Sequence, residues 1–229
     1  YHVMYTQRPP GGPWAEPRPL VRVNVLEHTW TMHTLAVARD HTLHLVMVNT
    51  QPLPGGAKYY GASHLFSPDS GVTWRQVGRS NPVAPATLAS ELARIEGPEM
   101  ASDRLEAHPT PPLPCPPTGS YYNQMVPSNV TVDAASRVTL IQHNQLTGQA
   151  DLVRLEGSKW IRQPLRPGEV GVPDRYLIRH FSHLAPRADG LLEAVLHVGP
   201  AGRTEFGAPG TTLLRLTLDA NGRVIASRL

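Results

Sequence analysis

Apolar and polar residues along this chain alternate in short runs, and almost nowhere do the apolar ones recur at the three-to-four spacing of a helix. Period-two or largely apolar segments bounded by turn residues predict strands at Leu35–Ala38, Leu43–Val48, Tyr59–Phe66 and Thr73–Val77. A second set follows at Asn129–Val132, Val138–His143, Ala150–Glu156 and Lys159–Gln163, and a third at His180–Ala185, Leu191–Val198, Thr211–Leu218 and Val224–Arg228. Each set obeys one grammar. A strand ends in a polar turn (Arg39-Asp40-His41, Asp133-Ala134-Ala135-Ser136, Arg187-Ala188-Asp189-Gly190), and a very apolar strand follows. After a loop come a longer third strand, a tight turn and a short fourth strand. Only Thr87–Ile95, with Leu88, Leu92 and Ile95 at helical spacing, predicts a short helix.

A four-strand unit recurring every roughly 45 to 90 residues predicts an all-β fold, a β-propeller of four-stranded antiparallel blades. Three whole blades are legible. Tyr1–Gln7 and Trp14–Leu20 match the third and fourth strands of a further one, giving about three and a half. Ring closure removes the sheet edges that an open stack exposes, and propellers close with four or more blades. The expectation is therefore one domain over residues 1–229 that forms a fragment of a larger ring. The long connection 78–120, with prolines at 109, 111, 112, 114, 116 and 117, reads as an insertion between blades.

Composition agrees with that fold. The 24 prolines cannot sit in helix interiors or central strands, so they mark many turns. A 40% hydrophobic content suits a packed globular chain, and no apolar run approaches the about 20 residues of a membrane helix. The net charge of +3 is scattered over separate arginines, so neither nucleic acid nor a membrane is the expected partner. The single Cys115 excludes an internal disulfide framework. Tyr1 opens the sequence without an apolar leader, which reads as a signal peptide absent or removed.

The sharpest motif is Ser67-Pro68-Asp69-Ser70-Gly71-Val72-Thr73-Trp74, which fits the pattern Ser-x-Asp-x-Gly-x-Thr-Trp at every defined position. Its physics is local: Asp69 accepts hydrogen bonds from turn N–H groups, Gly71 relaxes the backbone, and Trp74 packs beneath. Degenerate forms that keep the tryptophan occur at Arg8–Trp14 and Leu155–Trp160. On these residues the chain resembles the sialidase-like, Asp-box (bacterial neuraminidase repeat) β-propellers. The stretch Tyr121–Trp160 also looks like later blades of Asp-box families that include polysaccharide lyases. The resemblance implies that the box (Ser67, Asp69, Gly71, Thr73, Trp74) is structural and lies away from the active face.

With that strand order, the opposite face is built from loops leading into innermost strands and loops joining second to third strands. The first kind supplies His28, Trp30 and His33, then Tyr121, Tyr122, Asn123 and Gln124, then Arg175, Tyr176, Arg179 and His180. The second kind supplies Asn49, then His143, Asn144 and Gln145. Amides and hydroxyls pair with sugar hydroxyls, rings pack on sugar C–H faces, and arginine holds a carboxylate bidentately. An acidic glycan or polysaccharide is the expected partner. His44 and His197, inside second strands, read as structural.

The resemblance implies a glycan-degrading enzyme, an exo-sialidase-like glycoside hydrolase, acting as a monomer in the periplasm or outside the cell. The sequence departs from that family where it matters: an arginine triad is not found at matching addresses, and no Arg-Ile-Pro motif occurs. The alternative is a polysaccharide lyase acting by β-elimination on a uronic-acid glycan, with His33, Tyr122, His143 and His180 as proton-transfer candidates. Arg175 or Arg179 would then hold the carboxylate, although His143 replaces the arginine expected at the end of the second strand. A non-catalytic glycan-binding propeller is the third reading. No cofactor is expected, zinc on converging histidines or calcium being the minor alternative.

Overall fold

A computed structural model describes residues 2–22, 30–53, 56–78, 87–88, 120–122, 125–144, 149–165, 167–172, 176–178, 182–200 and 210–229. The fold is all-β, and its sheets are blades of a partial propeller. β1 (His2–Tyr5) and β2 (Arg18–Arg22) pair antiparallel as the outer strands of one blade. The next blade runs β3 (Trp30–Val37), β4 (Leu43–Leu53) and β5 (Gly56–Ser67), and Trp74–Arg75 bridges back to Phe66 as an abbreviated fourth strand.

Two short strands depart from expectation. β6 (Thr87–Leu88) pairs parallel with β2, so the predicted helix does not begin at Thr87; residues 89–95 lie outside the described residues. β7 (Ser120–Tyr122) runs parallel to β5 and adds Tyr121 and Tyr122 to the edge of the β3–β5 sheet, where a loop was expected.

The next blade is β8 (Met125–Pro127) and β9 (Thr131–Val132), then β10 (Val138–Asn144), β11 (Gln149–Glu156) and β12 (Lys159–Leu165). After a single 3-10 turn at Pro167–Val170, the last blade is β13 (Tyr176–Ile178), β14 (His183–Pro186), β15 (Leu192–Pro200), β16 (Thr212–Leu218) and β17 (Val224–Arg228). In both blades the innermost strand is split, with β8 and β9 sharing β10, and β13 and β14 sharing β15. The first split has a visible cause. Pro127 removes a ladder donor, and Ser128 substitutes locally: its N–H donates to Ile141 O at 2.6 Å while its Oγ accepts from Ile141 N–H at 2.9 Å.

The core consists of three seams between facing sheets. Val3, Leu20 and Val21 meet Leu45, Met47, Leu65 and Trp74 in the first. Val46 and Ala62 meet Val130, Val138, Leu140 and Val153 in the second. Ile141, Leu152 and Leu165 meet Leu184, Leu192, Leu196, Leu214 and Leu216 in the third. Successive side chains on a strand point to opposite faces, so a second strand with a blade on each side is apolar almost throughout. Leu45 and Met47 serve one seam and Val46 the other; Leu140 and Ile141 divide in the same way. Of its side chains β15 buries Leu192, Ala194, Leu196 and Val198, and it turns Glu193 outward to pair with Arg215 at 2.6 Å.

Polar ties register the seams. Asn129 bridges the innermost strands of two blades, Nδ2 donating to Leu184 O at 2.7 Å and Oδ1 accepting from Leu184 N–H at 2.8 Å. Val130 N–H donates to Thr34 Oγ1 at 3.2 Å, so β9 sits between β3 and β14. At the outer strands, Arg137 and Arg154 donate to Ala220 O, and Gln163 donates to Gly222 O at 2.9 Å. Gly222 has φ +82°, and a Cβ there would lie 2.5 Å from Leu152 Cδ2.

Antiparallel order brings the turns 38–42, 133–137, 187–191 and 219–223 to one end of the strands. In each, an aspartate Oδ1 accepts from main-chain N–H groups: Asp40 from Thr42 (3.0 Å), Asp133 from Ala135 and Arg137 (2.9 Å), Asp189 from Leu191 (3.2 Å), Asp219 from Asn221 and Arg223 (2.8 Å). The Ser67–Trp74 box closes the same end, since Ser67 lies opposite Leu43. Asp69 accepts from Thr73 Oγ1 (2.6 Å), Thr73 N–H (2.8 Å) and Ser67 Oγ (2.8 Å), and Ser67 Oγ accepts from Gly71 N–H (2.7 Å). The Thr73 hydroxyl and N–H, then Ser67, hold the Asp69 carboxyl down at about 2.

Trp74 is buried and meets Tyr5 edge-on, with ring centroids 5.6 Å apart. Tyr5 Oη donates to Ser70 O, and Arg18 to Gly71 O, so the box is clamped by the preceding blade. Trp14, in the degenerate box, is instead 65% exposed and anchors no seam. Trp74→Ala is expected to cost about 3–5 kcal/mol. Gly71→Ala is also expected to destabilise, because φ is +93° and an added Cβ would lie 1.8 Å from Tyr5 Oη. Urea unfolding measures both, with Trp14→Ala as the near-neutral control.

Candidate functional site

Strand direction separates two ends. β3 and β5 run toward the Asp-led turns while β4 runs away from them, and the later blades repeat this order. Candidate residues that fall on described backbone, His33 excepted, lie toward the other end. Trp30 opens β3 opposite Thr50, and Asn49 lies opposite Thr31. Tyr121 and Tyr122 lie beside Ala57 and Lys58 at the start of β5. His143 and Asn144 end β10 beside Val126 and Met125. Tyr176 opens β13 opposite Pro200 and packs, half-buried, on the third seam. His28, Asn123, Gln124, Gln145, Arg175, Arg179 and His180 lie outside the described residues.

His33 is placed differently from the rest. It sits in the middle of β3 opposite Met47, exposed, on the strand face that also carries Leu35 and Val37, which are 52% and 59% exposed. Thr34 and Ala36, on the opposite face, pack toward the second seam. His33 thus marks an open blade face.

His143 is 1% exposed, and its Nε2 lies 2.6 Å from Ser182 Oγ, itself buried just ahead of β14. The pair joins two blades and buries the ring of His143, which the sequence offered as a proton-transfer candidate. Next to it, Gln142 points to the other face of β10. Gln142 is fully buried, and among the described residues neither its Oε1 nor its Nε2 has a partner. Asp151, opposite Gln142, takes a hydrogen bond from Arg162 Nε at 3.1 Å, and the Arg162 Nη2 lies 2.9 Å from the same carboxylate as an ion pair.

Ser182, Gln142 and the Asp151–Arg162 pair are polar features of this end that sequence reasoning missed. Ser182 stands two residues after His180, but its bond to His143 crosses 39 positions and leaves no local trace. Gln142 and Asp151 sit in strands that read as apolar or alternating, so their burial depends on the seam. Among the described residues no three His, Cys, Asp or Glu side chains converge as a metal site. His44 and His197 are in β4 and β15, the second strands of their blades.

No protein-family model matches the sequence, and no curated protein matches it. Among solved structures, the chain is similar to a polysaccharide lyase, an ulvan lyase bound to a chain of GlcA and Rha3S units, at 11% identity and a TM-score of 0.56. That similarity covers 100% of this chain and 50% of the lyase, so the chain spans half the lyase's length, and the likeness is one of fold. A fucose lectin from Kordia zhangzhouensis bound to methyl-fucoside is similar at 8% identity and TM-score 0.39, over 85% of this chain and 98% of the lectin. A xylan β-1,4-xylosidase from Bacillus halodurans is similar at 12% identity and TM-score 0.42, over 90% and 33% respectively.

Ser182→Ala would leave the buried His143 ring without its hydroxyl partner. The expected cost is about 1–3 kcal/mol in chemical denaturation, with Ser182→Thr recovering part of it.

Proposed function

We propose that this chain is part of a carbohydrate-active propeller that handles a uronic-acid polysaccharide at the end opposite the Asp-led turns, and that its chemistry is β-elimination. The observation that carries the reading is the fold: the whole chain follows half of an ulvan lyase. The residue inventory at this end agrees with it. Tyrosines 121 and 122, Asn144, Tyr176 and the buried His143–Ser182 pair lie on strand segments at that end.

In the proposed reaction an arginine, Arg175 or Arg179, neutralises the uronate carboxylate and so acidifies the adjacent C–H. Tyr122 or His180 removes that proton as the C–O bond to the neighbouring sugar breaks. The electron pair of the C–H bond becomes the new C=C bond, and the leaving oxygen is protonated by the other of the two residues. His143 acts here through Ser182, pinning the start of β14 two residues beyond His180. A sialidase-like hydrolase and a non-catalytic glycan binder are the competing outcomes.

The test incubates the protein with a panel of uronic-acid polysaccharides and, separately, a fluorogenic sialoside. Elimination predicts a rise in ultraviolet absorbance from the unsaturated product, with Tyr122→Phe and His180→Ala each lowering kcat by about 10²–10⁴-fold at unchanged circular dichroism. Fluorophore release alone contradicts elimination and supports the hydrolase. Silence in both assays with measurable polysaccharide binding supports the binder.

A further inference from the structure

The seam between the β3–β5 and β8–β12 blades contains two imidazoles in contact. His44 on β4 and His64 on β5 stack with ring centroids 5.4 Å apart and planes at 11°. His44 Nδ1 lies 3.2 Å from His64 Nε2. Phe66 stacks alongside both rings, and Trp160 of β12 meets His64 edge-on at 5.2 Å and 87°. Trp160 belongs to the second of these blades, so the His64–Trp160 contact is part of what joins them. Both histidines are buried, and among the described residues His64 Nδ1 has no partner.

The geometry limits how many protons this pair can hold. At 3.2 Å one nitrogen must carry the hydrogen and the other must offer its lone pair. One added proton is tolerated, because an imidazolium can donate to a neutral imidazole across the same contact. A second proton sets N–H against N–H and two positive charges side by side, with the deeper ring shut off from water. Burial lowers the His44 value, partly opposed by Asp40; burial first and His44 second hold His64 down at about 3. Asp40, from the β3–β4 turn, is the outside charge acting on the pair, while Ala36, Phe66, Leu155 and Trp160 surround it with apolar surface.

We propose that the His44–His64 pair is an acid-sensitive release for this seam: it holds the two blades together while it carries at most one proton and lets them part when it takes up a second. The sign follows from linkage. Folded values below the ordinary 6.5 mean that the parted seam binds protons more readily. Seam stability is full above about pH 6.5 and declines as the pH falls toward 3, the closing equilibrium weakening by up to about tenfold per pH unit for each proton taken up. The proposal is independent of the glycan reading.

The test is a tryptophan-emission titration of the full chain from about pH 8 to about pH 3, with Trp160→Phe identifying the Trp160 signal. The expected result is a red shift of Trp160 emission in acid, with a midpoint that His64→Phe lowers by about one pH unit or more. Equal midpoints in His64→Phe and the unaltered protein would overturn the proposal. Histidine ring NMR on the unaltered protein gives an answer that does not depend on a variant folding. Two coupled steps, the lower coinciding with the Trp160 shift, support the release. Independent titration of both rings near 6.5 with unchanged Trp160 emission refutes it.

Discussion

Each central blade of this protein is held by the alternation of side chains along its second strand, which sends one residue into the seam on one side and the next into the seam on the other. β4 commits Leu45 and Met47 to the Trp74 seam and Val46 to the seam with β10, and β10 does the same with Leu140 and Ile141. A slip of one residue would exchange the two sets and spoil both seams together. Registration therefore has to be strong, and it is supplied by directional polar ties. The Asn129 amide on Leu184, Tyr5 and Arg18 on the Ser70 and Gly71 carbonyls, and the arginines on Ala220 fix one blade against the next. Apolar burial gives the seams their energy, and these hydrogen bonds give them their register.

The two ends of the strands divide the work. At one end, short turns led by Asp40, Asp133, Asp189 and Asp219, with the Asp69 box, satisfy their own main-chain donors and leave little freedom for a ligand to exploit. The other end carries the His143–Ser182 bond, the buried Gln142 amide and the tyrosines of β7 and β13. A propeller that uses one end for closure keeps the other for recognition, and the proposed glycan chemistry is assigned there for that reason.

Much of this was legible in the sequence because it is local. The Ser67–Trp74 pattern encodes a turn whose hydrogen bonds span four residues, and the apolar runs at 43–48 and 138–143 state that two blades will cover them. The illegible parts are non-local. The burial of His143 needs Ser182 from another blade, and the partner of Trp160 is His64, nearly a hundred residues earlier. Trp14 kept the motif's tryptophan without its aspartate, and without the carboxylate to fold the turn over it the ring stays in solvent. Thr87–Leu88 had helical spacing, yet the β2 edge offered backbone partners that a two-residue strand could meet at once.

Hydrogen–deuterium exchange on the full chain, with and without a uronic-acid oligosaccharide, tests the central claim most directly. The account predicts protection at 120–127, 142–149 and 176–183, at the ends of β8, β10 and β13, with the turns at 67–73, 133–137 and 219–223 unchanged. Protection at those Asp-led turns, or at neither end with any of the uronic-acid chains, would contradict it.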